Sequence, residues 1–183
     1  NVWVSNGYMT PEAVELLGPT IDAINVDLKS FRPESYKHLA SAKLQGVVET
    51  LKLFRPRDIW LEITTLIIPG INDSEEELGD IAEFIASLGT EVPWHVSRFH
   101  PDYHMHDRGA TPARTLETAV RLGREAGLKY VYAGNLPGDE NEHTYCPGCG
   151  RKVIERWGFM VGRRETENGA CRYCETPIDG VGM

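Results

Sequence analysis

Several things are scarce in this chain of 183 residues, and each scarcity narrows the reading. No apolar run reaches eighteen residues, so no helical membrane span is expected. The first residues show no basic stretch followed by an apolar one, so no export signal is read there. Positive charge is short, with 19 Lys and Arg against 27 Asp and Glu for a net charge of −8. That balance gives no support to nonspecific binding of nucleic acid or an anionic membrane. There is no sequence repeat and no low-complexity tract. An initiator Met is also lacking: "NVWVSNGYM" enters at once on strand-like residues, which we read as a piece of a longer protein cut before residue 1. Cysteine is confined to the last quarter, at Cys146, Cys149, Cys171 and Cys174. With no export signal these read as metal ligands rather than disulfides, and a cytoplasmic location is expected.

What is present alternates. Five short β-like runs, Val2–Ser5, Ala23–Leu28, Trp60–Ile67, Trp94–Phe99 and Lys129–Ala133, are separated by helix-like segments. Pro11–Leu17 follows Thr10, a good N-cap with Pro at the first helical position, and a second helical stretch lies around Leu44–Phe54. In Ser74–Leu88, Ser74 and Glu77 fit a capping box, while Leu78, Ile81, Ile85 and Leu88 share one face. Arg114–Ala126 follows Thr111-Pro112 and stops at Gly127. Such alternation predicts parallel βα units in an α/β fold. Five strands are too few for a closed eight-stranded barrel of roughly 250 residues, so a partial parallel barrel is expected. After Ala133 the character changes to a Gly, Pro and acid linker, "GNLPGDENEH". We therefore expect a partial barrel over residues 1–137 and a small zinc-ribbon module with four cysteine ligands over 138–183.

Ligands of parallel α/β folds bind at the C-terminal strand ends. Those ends read "VSNG", "VDLK", "LIIPGIND", "SRFHPDYH" and "YAGN". Ser5 and Asn6 offer a hydroxyl and an amide, Asp27 an acceptor for ribose hydroxyls or an amine, and Lys29 and His100 partners for a carboxylate. Pro69-Gly70 lets backbone approach a flat ring. Together they suit a zwitterionic ligand containing a nucleoside. Each also has a plain structural reading: Asp27 and Lys29 as a surface ion pair, Asn6-Gly7 as a turn, His100 as a loop histidine.

The cysteine quartet is two Cys-x2-Cys knuckles, "CPGC" and "CRYC", separated by 21 residues. Four thiolates favour tetrahedral zinc, with rubredoxin-like iron as the second choice. Gly148 and Gly150 let the knuckle turn tightly, and a tail with little core needs such a staple. Residues 143–183 carry six Lys or Arg and five Asp or Glu, so the tail reads as a structural or partner-docking ribbon and not as a nucleic-acid binder. His104 and His106 read as loop residues, not as a second metal site.

The stretches "VSNGYMTPEAVELL", "IDAINVDLKSF", "ITTLIIPGINDSEEEL", "VSRFHPDYHMHDRGATPARTLETA" and "GLKYVYAGNLPG", in this order, resemble the C-terminal part of a radical S-adenosylmethionine (SAM) enzyme. The similarity is to pyruvate formate-lyase-activating enzymes and above all to the radical SAM protein of the AmmeMemoRadiSam system, whose tail also carries "TYCPGCG…CRYC". The resemblance implies S-adenosylmethionine at Ser5, Asn6, Asp27, Lys29, Ile68, Pro69 and His100. Asp27 and Lys29 match an acid and a base that hold ribose and methionyl groups, and Ile68 and Pro69 match an apolar wall near adenine. It further implies a [4Fe–4S] cluster that generates a 5′-deoxyadenosyl radical for hydrogen abstraction from a substrate. It also implies partner proteins of the AmmeMemoRadiSam system. The Cys-x3-Cys-x2-Cys cluster motif and the Gly-Gly-Glu stretch are not among these residues, so this polypeptide by itself is expected to be inactive. Val4 stands where relatives carry an acid for a monovalent cation. Two other readings stay open: a non-enzymatic interaction module presenting the ribbon, and a barrel lyase using Lys29 as a Schiff-base nucleophile.

Overall fold

The computed structural model describes residues 1–182. Its main sheet has five parallel strands in sequential order: β1 (Val2–Ser5), β2 (Ala23–Asp27), β3 (Trp60–Ile67), β4 (Trp94–Arg98) and β5 (Val131–Gly134). Helix α1 (Pro11–Leu17) joins β1 to β2, and α2 (Pro33–Ala40) with α3 (Leu44–Phe54) joins β2 to β3. Helices α4 (Glu75–Leu88) and α5 (Ala113–Glu125) make the last two crossovers. Right-handed crossovers between sequential neighbours put every helix on one side of the sheet, which is barrel topology rather than a doubly wound sheet.

Burial along the strands has the period of two that such a sheet requires. Ile24, Val26, Leu61, Ile63, Trp94, Val96, Val131 and Ala133 are buried under the helices. The intervening Asn25, Asp27, Glu62, Thr64, His95, Ser97 and Tyr132 are half-buried on the opposite, concave face. Trp94 is fully buried, and its indole N–H donates to Thr65 Oγ1 at 3.0 Å, which removes the cost of an unpaired polar group in the core.

The expected elements are found with shifts of one or two residues at strand ends: β2 and β4 stop one residue early, and β5 begins at Val131. Helix α2 has no counterpart in the sequence reading. Its N-cap is Arg32, which makes no side-chain cap, and only Pro33 at the first position marks its start. Arg32 instead pairs with Asp80 at 2.6 Å and Glu76 at 3.3 Å on α4. The capping box is half realised. Ser74 Oγ accepts from the Glu77 amide at 3.2 Å, but the Glu77 carboxylate turns away from its own helix start.

Beyond β5, β6 (Thr144–Tyr145), β7 (Lys152–Trp157) and β8 (Met160–Arg164) form a small antiparallel sheet, and β9 (Thr166–Glu167) pairs with β10 (Ala170–Cys171). This tail docks on the last barrel strand through its own small core, in which Tyr130 packs with Cys146, Val153, Ile154, Cys171 and Ile178. The Tyr130 hydroxyl donates to Asp179 Oδ2 at 3.1 Å and accepts from the Asp179 amide at 3.0 Å. Among the described residues, no helix is long and apolar enough to cross a membrane.

Candidate functional site

Register brings the expected ligand set to one edge of the sheet. Ser5 pairs with Val26, Asp27 with Thr64, Ile67 with Arg98 and Ser97 with Gly134; the strands are parallel, so their C-terminal ends share one edge, staggered along it by about three residues between β2 and β3. At the end of β1, Ser5 Oγ accepts from the Gly7 amide at 3.1 Å and Asn6 Oδ1 from the Tyr8 amide at 3.0 Å. Both side chains thus hold their own turn, as the plain reading of Asn6-Gly7 had it. Gly7 is required there: its φ is +67°, and a Cβ would lie 2.5 Å from Val26 Cγ1.

Asp27 ends β2, and Lys29 Nζ donates to Asp27 Oδ2 at 2.9 Å. Their side chains are 37% and 38% exposed, so the pair is solvent-screened and worth about 0–1 kcal/mol. So weak a bond costs little to exchange for a ligand's opposite charges. Ile68 is buried, Pro69 is half-buried, and Arg108 Nη1 donates to the Pro69 carbonyl at 3.0 Å, tying the β4–α5 loop to the β3–α4 loop. His100 is exposed two residues past β4, and His104 is exposed in the same loop, its ring tilted by 51° against that of Tyr103 with centroids 3.7 Å apart.

Three side chains that the sequence reading did not place at this site organise this end. Asn72 and Glu77, at the start of α4, are buried and reach back to the β2 loop. Glu77 Oε1 accepts from Ser30 Oγ at 2.5 Å and from the Phe31 amide at 2.7 Å. Thr111, also buried, donates to the Ile67 carbonyl at 2.5 Å and accepts from the Phe99 amide at 2.9 Å, stitching β3 to β4 where the ladder stops.

The concave face carries a further polar chain. Glu62 accepts from Trp60 Nε1 and His95 Nε2, each at 2.9 Å, and Thr64 Oγ1 donates to Asn25 Oδ1 at 2.8 Å. Burial alone would raise the Glu62 pKa, but the hydrogen bonds from His95, Trp60 and Asn25 outweigh it and hold the carboxyl below its ordinary value. His95 stacks on Tyr132, whose hydroxyl meets Thr144 Oγ1 of the tail at 2.9 Å. Asn25, Trp60, Glu62, His95, Tyr132 and Arg156 line an open cleft of about 800 Å³ between sheet and tail. Alternation of polar with apolar residues on β2 to β4 was the signal for this face.

In the tail, the four sulfur atoms lie within 4.8 Å of one another, with Cys146 and Cys174 at 3.5 Å and Cys149 and Cys171 at 3.8 Å. A zinc tetrahedron with bonds of about 2.3 Å has sulfur–sulfur edges of about 3.8 Å, so the quartet fits that ion. Each knuckle is closed by backbone bonds: the Gly150 amide donates to the Cys146 carbonyl at 2.9 Å and the Glu175 amide to the Cys171 carbonyl at 2.8 Å. Gly150 has φ +70° and turns the knuckle as expected, whereas Gly148 is needed for a close approach, since a Cβ there would strike Thr176 Oγ1 at 2.2 Å. Thr176, through its side chain and its backbone, lowers the Cys174 thiol to about 6. With no cysteine on the barrel, these residues cannot hold an iron–sulfur cluster beside the strand ends.

Residues 1–85, which hold β1 to β3 and the first part of α4, match the model of the Radical SAM superfamily. The resemblance to the C-terminal portion of an activating-enzyme-like radical SAM protein therefore stands. Over 184 residues the chain is 45% identical to the uncharacterized protein MJ0808 of Methanocaldococcus jannaschii, covering 99% of this chain and 54% of that one. It is 29% identical over 94 residues to the isethionate sulfite-lyase activating enzyme of Oleidesulfovibrio alaskensis, covering 49% of this chain and 30% of that one. A crystal structure of a domain of pyruvate-formate lyase-activating enzyme from Bacteroides vulgatus shares the fold, with a TM-score of 0.65 at 18% identity over 73% of this chain and 80% of that one. The chain spans about half the length of MJ0808 and under a third of the activating enzyme.

Proposed function

We propose that the strand-end site binds S-adenosylmethionine and that the whole protein is a radical SAM enzyme of the activating-enzyme type, working in the cytoplasm. What supports this reading is that Ser5, Asn6, Asp27, Lys29, Ile68, Pro69 and His100 lie at or just past the C-terminal ends of β1 to β4, in a chain whose residues 1–85 match the Radical SAM superfamily. Asp27 is suited to accept from ribose hydroxyls. Lys29, released from Asp27, is suited to the methionyl carboxylate, and the buried Ile68 with Pro69 offers an apolar wall to adenine. His100 is exposed at the rim, where it can close over the same ligand. Bound with a reduced cluster, this cofactor supplies one-electron chemistry that ends in hydrogen abstraction, while the protein orients it and excludes water. The cluster's ligands are not among these residues.

Residues 138–183 we take as a distinct zinc-ribbon module, with Cys146, Cys149, Cys171 and Cys174 holding Zn²⁺ in a structural site without an open position. A reducing compartment keeps four such thiolates available. The test of the cofactor site is calorimetry on the full-length protein. Asp27→Ala and Lys29→Ala should each weaken S-adenosylmethionine binding by about tenfold, roughly 1.4 kcal/mol, without lowering the melting temperature. Wild-type affinity in both variants would remove the ligand assignment.

A further inference from the structure

Where β2 and β3 stop pairing, the chain faces a problem of hydrogen-bond parity. The ladder between them ends at Asp27 and Thr64, followed by one more bond from the Leu28 amide to the Thr64 carbonyl at 2.9 Å. The next groups to be joined are the carbonyls of Lys29 and Leu66. Two acceptors cannot bond each other, so only a group with two donors can bridge them.

Asn72 is that group. Its Nδ2 donates to the Lys29 carbonyl at 2.8 Å and to the Leu66 carbonyl at 2.9 Å, while its Oδ1 accepts from the Ile68 amide at 2.7 Å. The side chain is fully buried, so no water can take its place at either carbonyl. Five residues on, Glu77 of α4 grips Ser30 and Phe31, so the chain just after Lys29 is held a second time beyond the bridge.

We infer that Asn72 is a positioning residue for the cofactor site, acting through Lys29: its two amide donors lock the Lys29 backbone to β3 and so aim the ammonium group at the methionyl end of the ligand. This rests on the S-adenosylmethionine reading above. It assigns Asn72 no contact with the cofactor. It separates the residue's two halves: the Oδ1 bond serves the Ile68–Pro69 wall, and the Nδ2 bonds serve Lys29.

Asn72→Asp isolates the second half, since a carboxylate still accepts from the Ile68 amide but sets negative oxygen against two carbonyls. Asn72→Ser is the milder companion, retaining one donor and adding no charge. In the full-length protein, calorimetry should show S-adenosylmethionine bound about tenfold more weakly by Asn72→Asp and several-fold more weakly by Asn72→Ser. Methylthioadenosine, which keeps the nucleoside and sulfur but has no amino-acid end, should bind both variants within twofold of wild type. In a Lys29→Ala background, neither Asn72 change should add more than twofold, because the group it aims is gone. Equal losses for both ligands, or an undiminished loss in the Lys29→Ala background, would mean that Asn72 merely supports the fold and would overturn the inference. So would wild-type binding by both Asn72 variants. Wild-type S-adenosylmethionine binding by Lys29→Ala alone would instead strike the reading of the site itself, and the inference with it.

Discussion

Replacing Glu77 by Ala asks what that carboxylate does. A capping-box residue that reached back to its own helix start would contribute about 1 kcal/mol. Here Glu77 is 3% exposed and accepts two hydrogen bonds from the segment after Lys29, one from a hydroxyl and one from a backbone amide. Hydrogen bonds to a charged group are worth about 1.5–3 kcal/mol each, and the Phe31 amide would lose its partner, while Ser30 Oγ would keep its contacts with Arg32. The first turn of α4 would also lose an acid at the positive end of its dipole, about 0.3–1 kcal/mol. The expected loss is therefore about 3–5 kcal/mol. For a chain of this size each kcal/mol moves the melting temperature by about 2–4 °C, so a fall of about 6–20 °C is expected. Urea unfolding gives the free energy directly, and amide exchange at Phe31 reports the local bond. A loss near 1 kcal/mol with Phe31 protection unchanged would show that Glu77 acts as a cap only, and that the loop after β2 is held by something else.

Three further outcomes are expected. Cys146→Ser should release bound zinc and lower thermal stability while the barrel strands keep their circular dichroism; full retention of metal by elemental analysis would sink the assignment of the four thiolates to zinc. Because the cysteine thiols must shed protons to bind the metal, zinc should be lost from the wild type as pH falls, which elemental analysis after dialysis at stepped pH would follow. Glu62 has its folded pKa below the ordinary 4.5, so it contributes stability that is present above that value and lost as pH falls through the folded pKa. Glu62→Gln should therefore flatten the acid limb of the stability curve below about pH 4.5, and an unchanged slope would mean that His95 and Trp60 do not hold it in solution.

The fold was legible where local chemistry and periodicity agreed. Thr10-Pro11 and Ser74 start helices with bonded caps, at 3.3 Å and 3.2 Å, and Gly127 ends one with φ +94°. Strand ends moved by a residue because the ladder's extent depends on neighbours that the sequence does not display. Helix α2 went unseen because its start is held from a distance, by Arg32 with Asp80, rather than by a capping side chain.

Why the site was only half legible follows from the same distinction. Asp27, Lys29 and the cysteines announce themselves, since a charge or thiol at a strand end or knuckle has little else to do there. The residues that place them do not. Asn72 sits in a turn-like "GIND", where Asn is the ordinary choice, and nothing in that string tells that its amide spans two strands. Glu77 satisfies a capping pattern by spacing while its carboxylate serves a segment 46 residues away. Glu62 and His95 differ again: the alternation of β3 and β4 marks them as facing away from the helices, but only registers pairing β3 with β4 put them in the same cleft. A partial barrel's polar face is thus readable strand by strand and assembled only by register. Side chains that carry charge at its rim are the readable part of an edge whose geometry is set by the buried Asn72 amide and the Glu77 carboxylate.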